Sequence, residues 1–268
     1  MRTLPNFLII GAQKSGTTSL YEYLRGHPHV FMSGVKEIDF FSDDRTWRRG
    51  QEWYASQFAG AGTAEVVGEA SPSYSLYPCV SGVAERIRAL LPDARFVYLM
   101  RHPVERMRAS YANALANGTE RRSMEHALIF DACYRYTSAY ALQLEQYLRF
   151  FDRSRILLLL ADDLRERRAE TLRRTLEFLG VASDWVPPNL DTEYHPAGAK
   201  RVRRPGARYL AGVLPDRVMT LPPFTRRVRP TELSLDENLR RRLEDIVRPD
   251  VMRLCDFMPS SFKGWGLL

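Results

Sequence analysis

Lys14, Ser15, Gly16, Thr17 and Thr18 stand between an apolar run, Phe7–Ile10, and an amphipathic stretch carrying Leu20, Tyr23 and Leu24. Small residues where a strand turns into a helix leave consecutive backbone N–H groups free to face an anion. Lys14 adds a cation, and Thr17 and Thr18 add hydroxyl donors. The chemistry on offer is the holding of phosphate-like oxygens. Gly11 and Gly16 have the separation of a P-loop, but the lysine stands before the second glycine instead of after it. A turn that merely favours Gly, Ser and Thr would read the same over so few residues.

Two further segments carry chemistry. Arg101 follows an apolar run, Phe96–Met100, and Pro103 stands where a helix would start. An ordinary exposed helix start would read the same. Glu37 lies in Lys36-Glu-Ile-Asp-Phe-Phe41. A positioned carboxylate can take a proton from an attacking hydroxyl; a solvated loop charge is the alternative.

In this order and spacing, the segments resemble the sulfotransferases that use 3′-phosphoadenosine 5′-phosphosulfate (PAPS). The closer likeness is to the carbohydrate branch typified by heparan sulfate sulfotransferases, and to a bacterial member of it. The resemblance implies that Lys14, Ser15, Gly16, Thr17 and Thr18 hold the 5′-phosphosulfate. It implies that Arg101 grips the 3′-phosphate together with a helical serine eight residues later. Here the eighth residue is Ala109 and the serine is Ser110, one step and ~100° further round a helix. Lys36–Phe41 is similar to a family segment Lys-Glu-Val-His-Phe-Phe whose Glu is the catalytic base. Glu37 matches it, and Asp39 replaces the His. Gly68-Glu-Ala-Ser-Pro-Ser-Tyr74 resembles Glu-Lys-Ser/Thr-Pro-x-Tyr, with Ala70 in place of the Lys. Losing both basic groups points to an acceptor less anionic than heparan sulfate.

The resemblance places Asp39, Tyr74 and Tyr140 on the acceptor side. Tyr74 reads equally as a half-buried aromatic at a strand end, and Tyr140 as part of a core helix over 134–150. Lys200 and Arg201, in the basic loop His195–Pro205, match a family loop over the 3′-phosphate, or form a solvated face. The implied reaction is in-line transfer of a sulfuryl group from PAPS to a hydroxyl of a sugar or small molecule. Glu37 acts as base, Lys14 steadies the departing 3′-phosphoadenosine 5′-phosphate, and no metal is required. The alternatives are a P-loop kinase or NTPase and a non-catalytic basic nucleotide- or RNA-binding protein. Arg101 at a strand end would repel the Mg²⁺ an NTPase needs.

These groups need a scaffold that gathers loops at one edge. Strand–helix alternation predicts an α/β fold with a central parallel sheet flanked by helices and a P-loop-like nucleotide core. Its centre would be formed by Phe7–Ile10, Glu65–Gly68, Phe96–Met100 and Ile156–Leu160, with ligands at their carboxyl ends. The 268 residues suit one sulfotransferase domain over 1–268, with no repeat or linker. One or two helices and an aromatic anchor are expected over 236–255 and then 257–265. The net charge of +7 suits an anionic nucleotide; no nucleic-acid recognition module and no membrane span are read. Three widely spaced cysteines suggest a reducing compartment and no zinc site. With the first strand close to Met1, a cytoplasmic enzyme is expected. Oligomeric state is not readable.

Overall fold

The computed structural model describes residues 3–192, 194, 201–203, 225–227 and 233–268, with 201–203 and 225–227 described as backbone. The strands are β1 (Phe7–Gly11), β2 (Val30–Met32), β3 (Val66–Ala70), β4 (Arg95–Met100), β5 (Ile156–Leu160), β6 (Arg201–Arg203) and β7 (Thr225–Arg227). The helices before β4 are α1 (Thr17–Arg25), α2 (Asp44–Trp47), α3 (Gly50–Ser56) and α4 (Val83–Leu90). After it come α5 (Pro103–Asn117), α6 (Met124–Phe130), α7 (Ala132–Tyr136), α8 (Tyr140–Leu148), α9 (Ala161–Glu166), α10 (Arg168–Leu179) and α11 (Glu237–Cys255).

β1 to β5 form one parallel sheet in the order β2-β3-β1-β4-β5. Strand alternation sends successive side chains to opposite faces. Leu8 and Ile10 of β1, with Phe96, Tyr98 and Met100 of β4, join a core with Tyr54, Ile87, Tyr140, Leu144 and Tyr147. Phe7, Ile9, Val97 and Leu99 face the other way, onto Leu20 and Leu24 of α1 and Leu172, Leu176 and Leu179 of α10. Both faces are covered, as a parallel sheet requires. The chain leaves central β1 for β2 and β3 on one side and reaches β4 on the other. The order therefore reverses beside β1, where an open α/β sheet opens a crevice. The edge strand β2 was not anticipated, being only Val-Phe-Met between polar residues.

The expected single helix over 134–150 is two helices. Ser138 interrupts them: its Oγ accepts from Arg106 Nε at 2.5 Å and donates to the Pro103 carbonyl at 3.1 Å. A new helix then starts at Tyr140, capped from elsewhere. Asp250 of α11 accepts from the Ala141 and Leu142 N–H groups, each at 3.0 Å. Its carboxylate does the work of an N-cap from more than a hundred residues away. The expected C-terminal helix is α11, started by Asp236 accepting from Leu239 N–H at 2.8 Å. Trp265 then packs on Phe262, Tyr140 and His102.

The cysteine reading needs correction. Cys79 and Cys133 form a disulfide with Cα atoms 6.0 Å apart, and Cys255 is free. Their separation of 54 residues hid the pairing. Both flanking segments fold back on α8, where the buried Gln143 side chain bonds Tyr77 N–H, Tyr77 C=O and Tyr136 C=O. The thiol argument for a reducing compartment therefore falls. No helix among the described residues is long and apolar enough to cross a membrane.

Candidate active site

The loop after β1 is built for an anion. Gly16 sits at φ 96° just ahead of α1, a left-handed position suited to glycine. Ser15 and Thr17 are buried, Thr18 is half-buried, and Lys14 is exposed on the loop. Ser15 Oγ is buried without a hydrogen-bond partner. Surrounding protein still desolvates the Lys14 ammonium and pushes its pKa below that of a free lysine. The Glu37 charge opposes that shift, and the Lys36 and Arg106 charges add to it.

β4 delivers Arg101 to the same place. Its Nη1 lies 3.5 Å from the Lys14 carbonyl oxygen. Tyr140 fixes the Arg101 backbone: its hydroxyl donates to the Arg101 carbonyl at 2.7 Å and accepts from its N–H at 3.3 Å. Burial pushes that phenol up to about 12. Tyr140 is fully buried, so its role here is to hold Arg101, not to face an acceptor.

The segment carrying Glu37 hangs from the end of β3. Glu37 N–H donates to the Ala70 carbonyl at 3.0 Å, Asp39 N–H to Ser71 Oγ at 3.1 Å, and Phe41 N–H to the Tyr74 hydroxyl at 3.5 Å. Beneath them lies Glu69, fully buried. It accepts from Tyr54 at 2.6 Å, Ser71 at 2.7 Å and Tyr74 at 2.8 Å. Burial raises the Glu69 carboxyl pKa, and these three donors pull against the shift. Sequence reasoning placed Glu69 at a strand end and missed that it anchors this turn. The signal was present in hydroxyl residues two and five positions later. Tyr74 is 2% exposed, and its hydroxyl is committed to Glu69, so it supports the turn.

Glu37 itself reaches solvent, with Lys36 paired to its carboxylate. Asp39 is half-buried, and its Oδ1 accepts from Ser73 Oγ at 2.5 Å. Burial raises its pKa; the Ser73 bond opposes and the Glu37 charge assists. Lys14, Glu37 and Asp39 have φ of 67°, 62° and 54°, left-handed values in residues that carry a Cβ. Each such position costs about 1–3 kcal/mol and clusters where geometry serves function. Three of the four non-glycine cases among the described residues are thus candidate site residues.

Ser110 and Ala109 are half-buried on α5, which runs unbroken from Pro103 to Tyr111; the Tyr111 hydroxyl donates to the Arg122 carbonyl at 2.9 Å. The β6 backbone, opening at Arg201, packs against α5. Lys200 lies outside the described residues. The structure thus brings Lys14, Ser15, Thr17, Arg101 and the Glu37 turn to one edge of the sheet. Nothing in this arrangement favours the kinase or NTPase alternative.

A sequence model of the sulfotransferase domain family matches residues 4–193. Human heparan sulfate glucosamine 3-O-sulfotransferase 6 is 32% identical over 189 residues, 67% of this chain and 53% of that protein. The mouse 3B1 enzyme of the same name is 31% identical over the same share of this chain and 47% of its own. The chain thus spans about half the length of these relatives. The crystal structure of a sulfotransferase from Alicyclobacillus acidocaldarius superposes with TM-score 0.74 at 26% identity, over 98% of this chain and 99% of the other. With a family match over most of its length and a shared fold from end to end, this chain belongs to the sulfotransferase domain family.

Proposed function

We propose that this chain transfers a sulfuryl group from PAPS to a hydroxyl of a sugar or small-molecule acceptor bearing little negative charge, with Glu37 as general base. The observation that carries this reading is the meeting of Arg101 with the Lys14 loop, beside a turn that presents Glu37. An orphaned Ser15 hydroxyl, a left-handed Gly16 and the N-terminus of α1 suit a phosphosulfate. PAPS, when bound, supplies the sulfuryl group and a bisphosphonucleotide leaving group. Lys14 to Thr18 would hold its 5′ end, and Arg101 its 3′-phosphate, with Ser110 and the Lys200–Arg201 segment assisting. Glu37 removes the acceptor hydroxyl proton as that oxygen attacks. Lys14 offers its ammonium to the oxygen on which negative charge grows. Asp39 and Ala70, at positions where the carbohydrate branch carries His and Lys, support the less anionic acceptor.

Calorimetry tests the nucleotide. 3′-phosphoadenosine 5′-phosphate should bind far more tightly than AMP, because Arg101 needs a 3′-phosphate to pair with. Equal affinities, or a strict need for Mg²⁺, would overturn the reading. Mass spectrometry of acceptor panels incubated with radiolabelled PAPS identifies the hydroxyl.

The displaced serine gives a second expected result. Ser110→Ala should weaken bisphosphonucleotide binding by about 0.5–1.5 kcal/mol, or up to about 3 kcal/mol for a bond to a charged phosphate, while Ala109→Ser gains little. A silent Ser110→Ala with a tighter-binding Ala109→Ser would assign the family position to Ala109 instead.

A further inference from the structure

Arg106 is the third residue after Pro103 on α5, and its side chain is fully buried. A buried guanidinium is expensive unless an opposite charge sits beside it. Its hydrogen-bond partners are neutral: Nε donates to Ser138 Oγ, and Nη2 to the Tyr134 carbonyl at 2.7 Å. Nη1 is buried with no hydrogen-bond partner. The ionisable groups that act on it are the phenols Tyr140, Tyr98 and Tyr134, which burial keeps neutral, with no carboxylate among them.

The neighbourhood points to the loop. Tyr98 and Tyr140 are in edge contact with ring centroids 5.9 Å apart. Tyr140 touches Ser15 and clamps Arg101. The Tyr98 hydroxyl and Ser15 Oγ are, like Arg106 Nη1, buried; Tyr98 lies against Ser75, and Ser15 against Tyr140. Tyr98 and Tyr140 thus stand beside the Arg106 cation, and Tyr140 connects it to the loop through Ser15. The Arg106 charge also reaches Lys14.

We propose that Arg106 is a positioning residue for the nucleotide: its buried, uncompensated charge keeps the floor of the Lys14–Thr18 loop positive and is balanced when the anionic end of the nucleotide binds above it. This rests on the nucleotide reading above. A purely structural guanidinium would tie α5 to the α7–α8 corner equally well with a carboxylate beside it. Those two roles separate by experiment.

Ser138→Asp places a carboxylate at Arg106 Nε, and Ser138→Asn matches its size without the charge. The full chain is measured by thermal melting without ligand and by calorimetry with 3′-phosphoadenosine 5′-phosphate, AMP and adenosine. Ser138→Asp should melt no lower than Ser138→Asn and bind the bisphosphate about tenfold or more weakly, the scale of one screened charge on a dianion at short range. The loss should shrink for AMP and vanish for adenosine. Equal affinity of the two variants for the bisphosphate, within twofold, overturns the proposal. If Ser138→Asp does not fold, Arg106→Lys against Arg106→Met gives the same comparison: at least tenfold weaker binding by the methionine variant supports it, and equal binding overturns it. Failure of the unaltered chain to bind the bisphosphate would instead overturn the nucleotide reading itself.

Discussion

Glu37→Gln should lower kcat about 10²- to 10⁴-fold while leaving affinity for 3′-phosphoadenosine 5′-phosphate almost unchanged. Glutamine keeps the shape and accepts hydrogen bonds, but it cannot take a proton, and general-base contributions fall in that range. The geometry makes the test clean. The turn is held by the Glu37, Asp39 and Phe41 N–H groups, none of which the substitution touches. The Glu37 carboxylate reaches solvent and pairs with Lys36, and glutamine keeps an oxygen that can accept from that ammonium. Steady-state kinetics with calorimetry on the same preparation check both halves. Near-normal turnover would return Glu37 to the status of a loop charge.

Lys14→Met should cost about 10²- to 10³-fold in kcat, the scale found when one preorganised donor is removed from a developing charge. Unlike Glu37→Gln, it should also weaken nucleotide binding, because the ammonium meets the anion in the ground state as well. A pH signature accompanies it. Desolvation lowers the Lys14 pKa in the free chain. The ammonium is therefore lost at a lower pH than in a free lysine, and nucleotide affinity should fall as pH rises through that lowered value. Binding an anion favours the charged form, so the bound chain should take up protons in that window. The methionine variant should lack both the alkaline fall and the proton uptake. Calorimetry in buffers of different ionisation enthalpy reads the proton count; an unchanged alkaline limb in Lys14→Met would assign the titration to another group.

The sheet was legible because its strands are buried runs with abrupt polar ends. Phe7–Ile10, Phe96–Met100 and Ile156–Leu160 read directly as strands, and their order placed Lys14 and Arg101 at the same edge. β2 was not legible, since three residues give no period to read. The break between α7 and α8 was hidden because its cause is tertiary. Ser138 is drawn off by Arg106, and α8 begins on a carboxylate supplied by α11. Within the candidate site, the family resemblance singled out Lys14, Arg101 and Glu37, and the structure brings the three to one edge of the sheet. The resemblance did not separate residues that touch a ligand from those that hold such residues still. The Tyr74 and Tyr140 hydroxyls bond Glu69 and the Arg101 carbonyl, a fact that rests on where a hydroxyl points. Glu69 was recognisable as an acid at a strand end, but its three donors come from residues 54, 71 and 74. The Cys79–Cys133 bond was likewise invisible until both segments were seen to lean on α8.

The Asp250 cap has a consequence for how the molecule is assembled on the ribosome. β1 to β5 and the anion loop are all made before residue 161, and nothing in their pairing waits for later chain. The Ala141 and Leu142 N–H groups do wait, because their acceptor is made about a hundred residues afterwards. Tyr140, the residue that clamps Arg101, is the first of that same helix. A nascent chain of that length has all five strands, but it still lacks α10, which covers one face of the sheet, and the carboxylate that caps α8. The hold on the Arg101 backbone is thus completed by a side chain of α11, which couples the end of β4 to a helix made more than a hundred residues later.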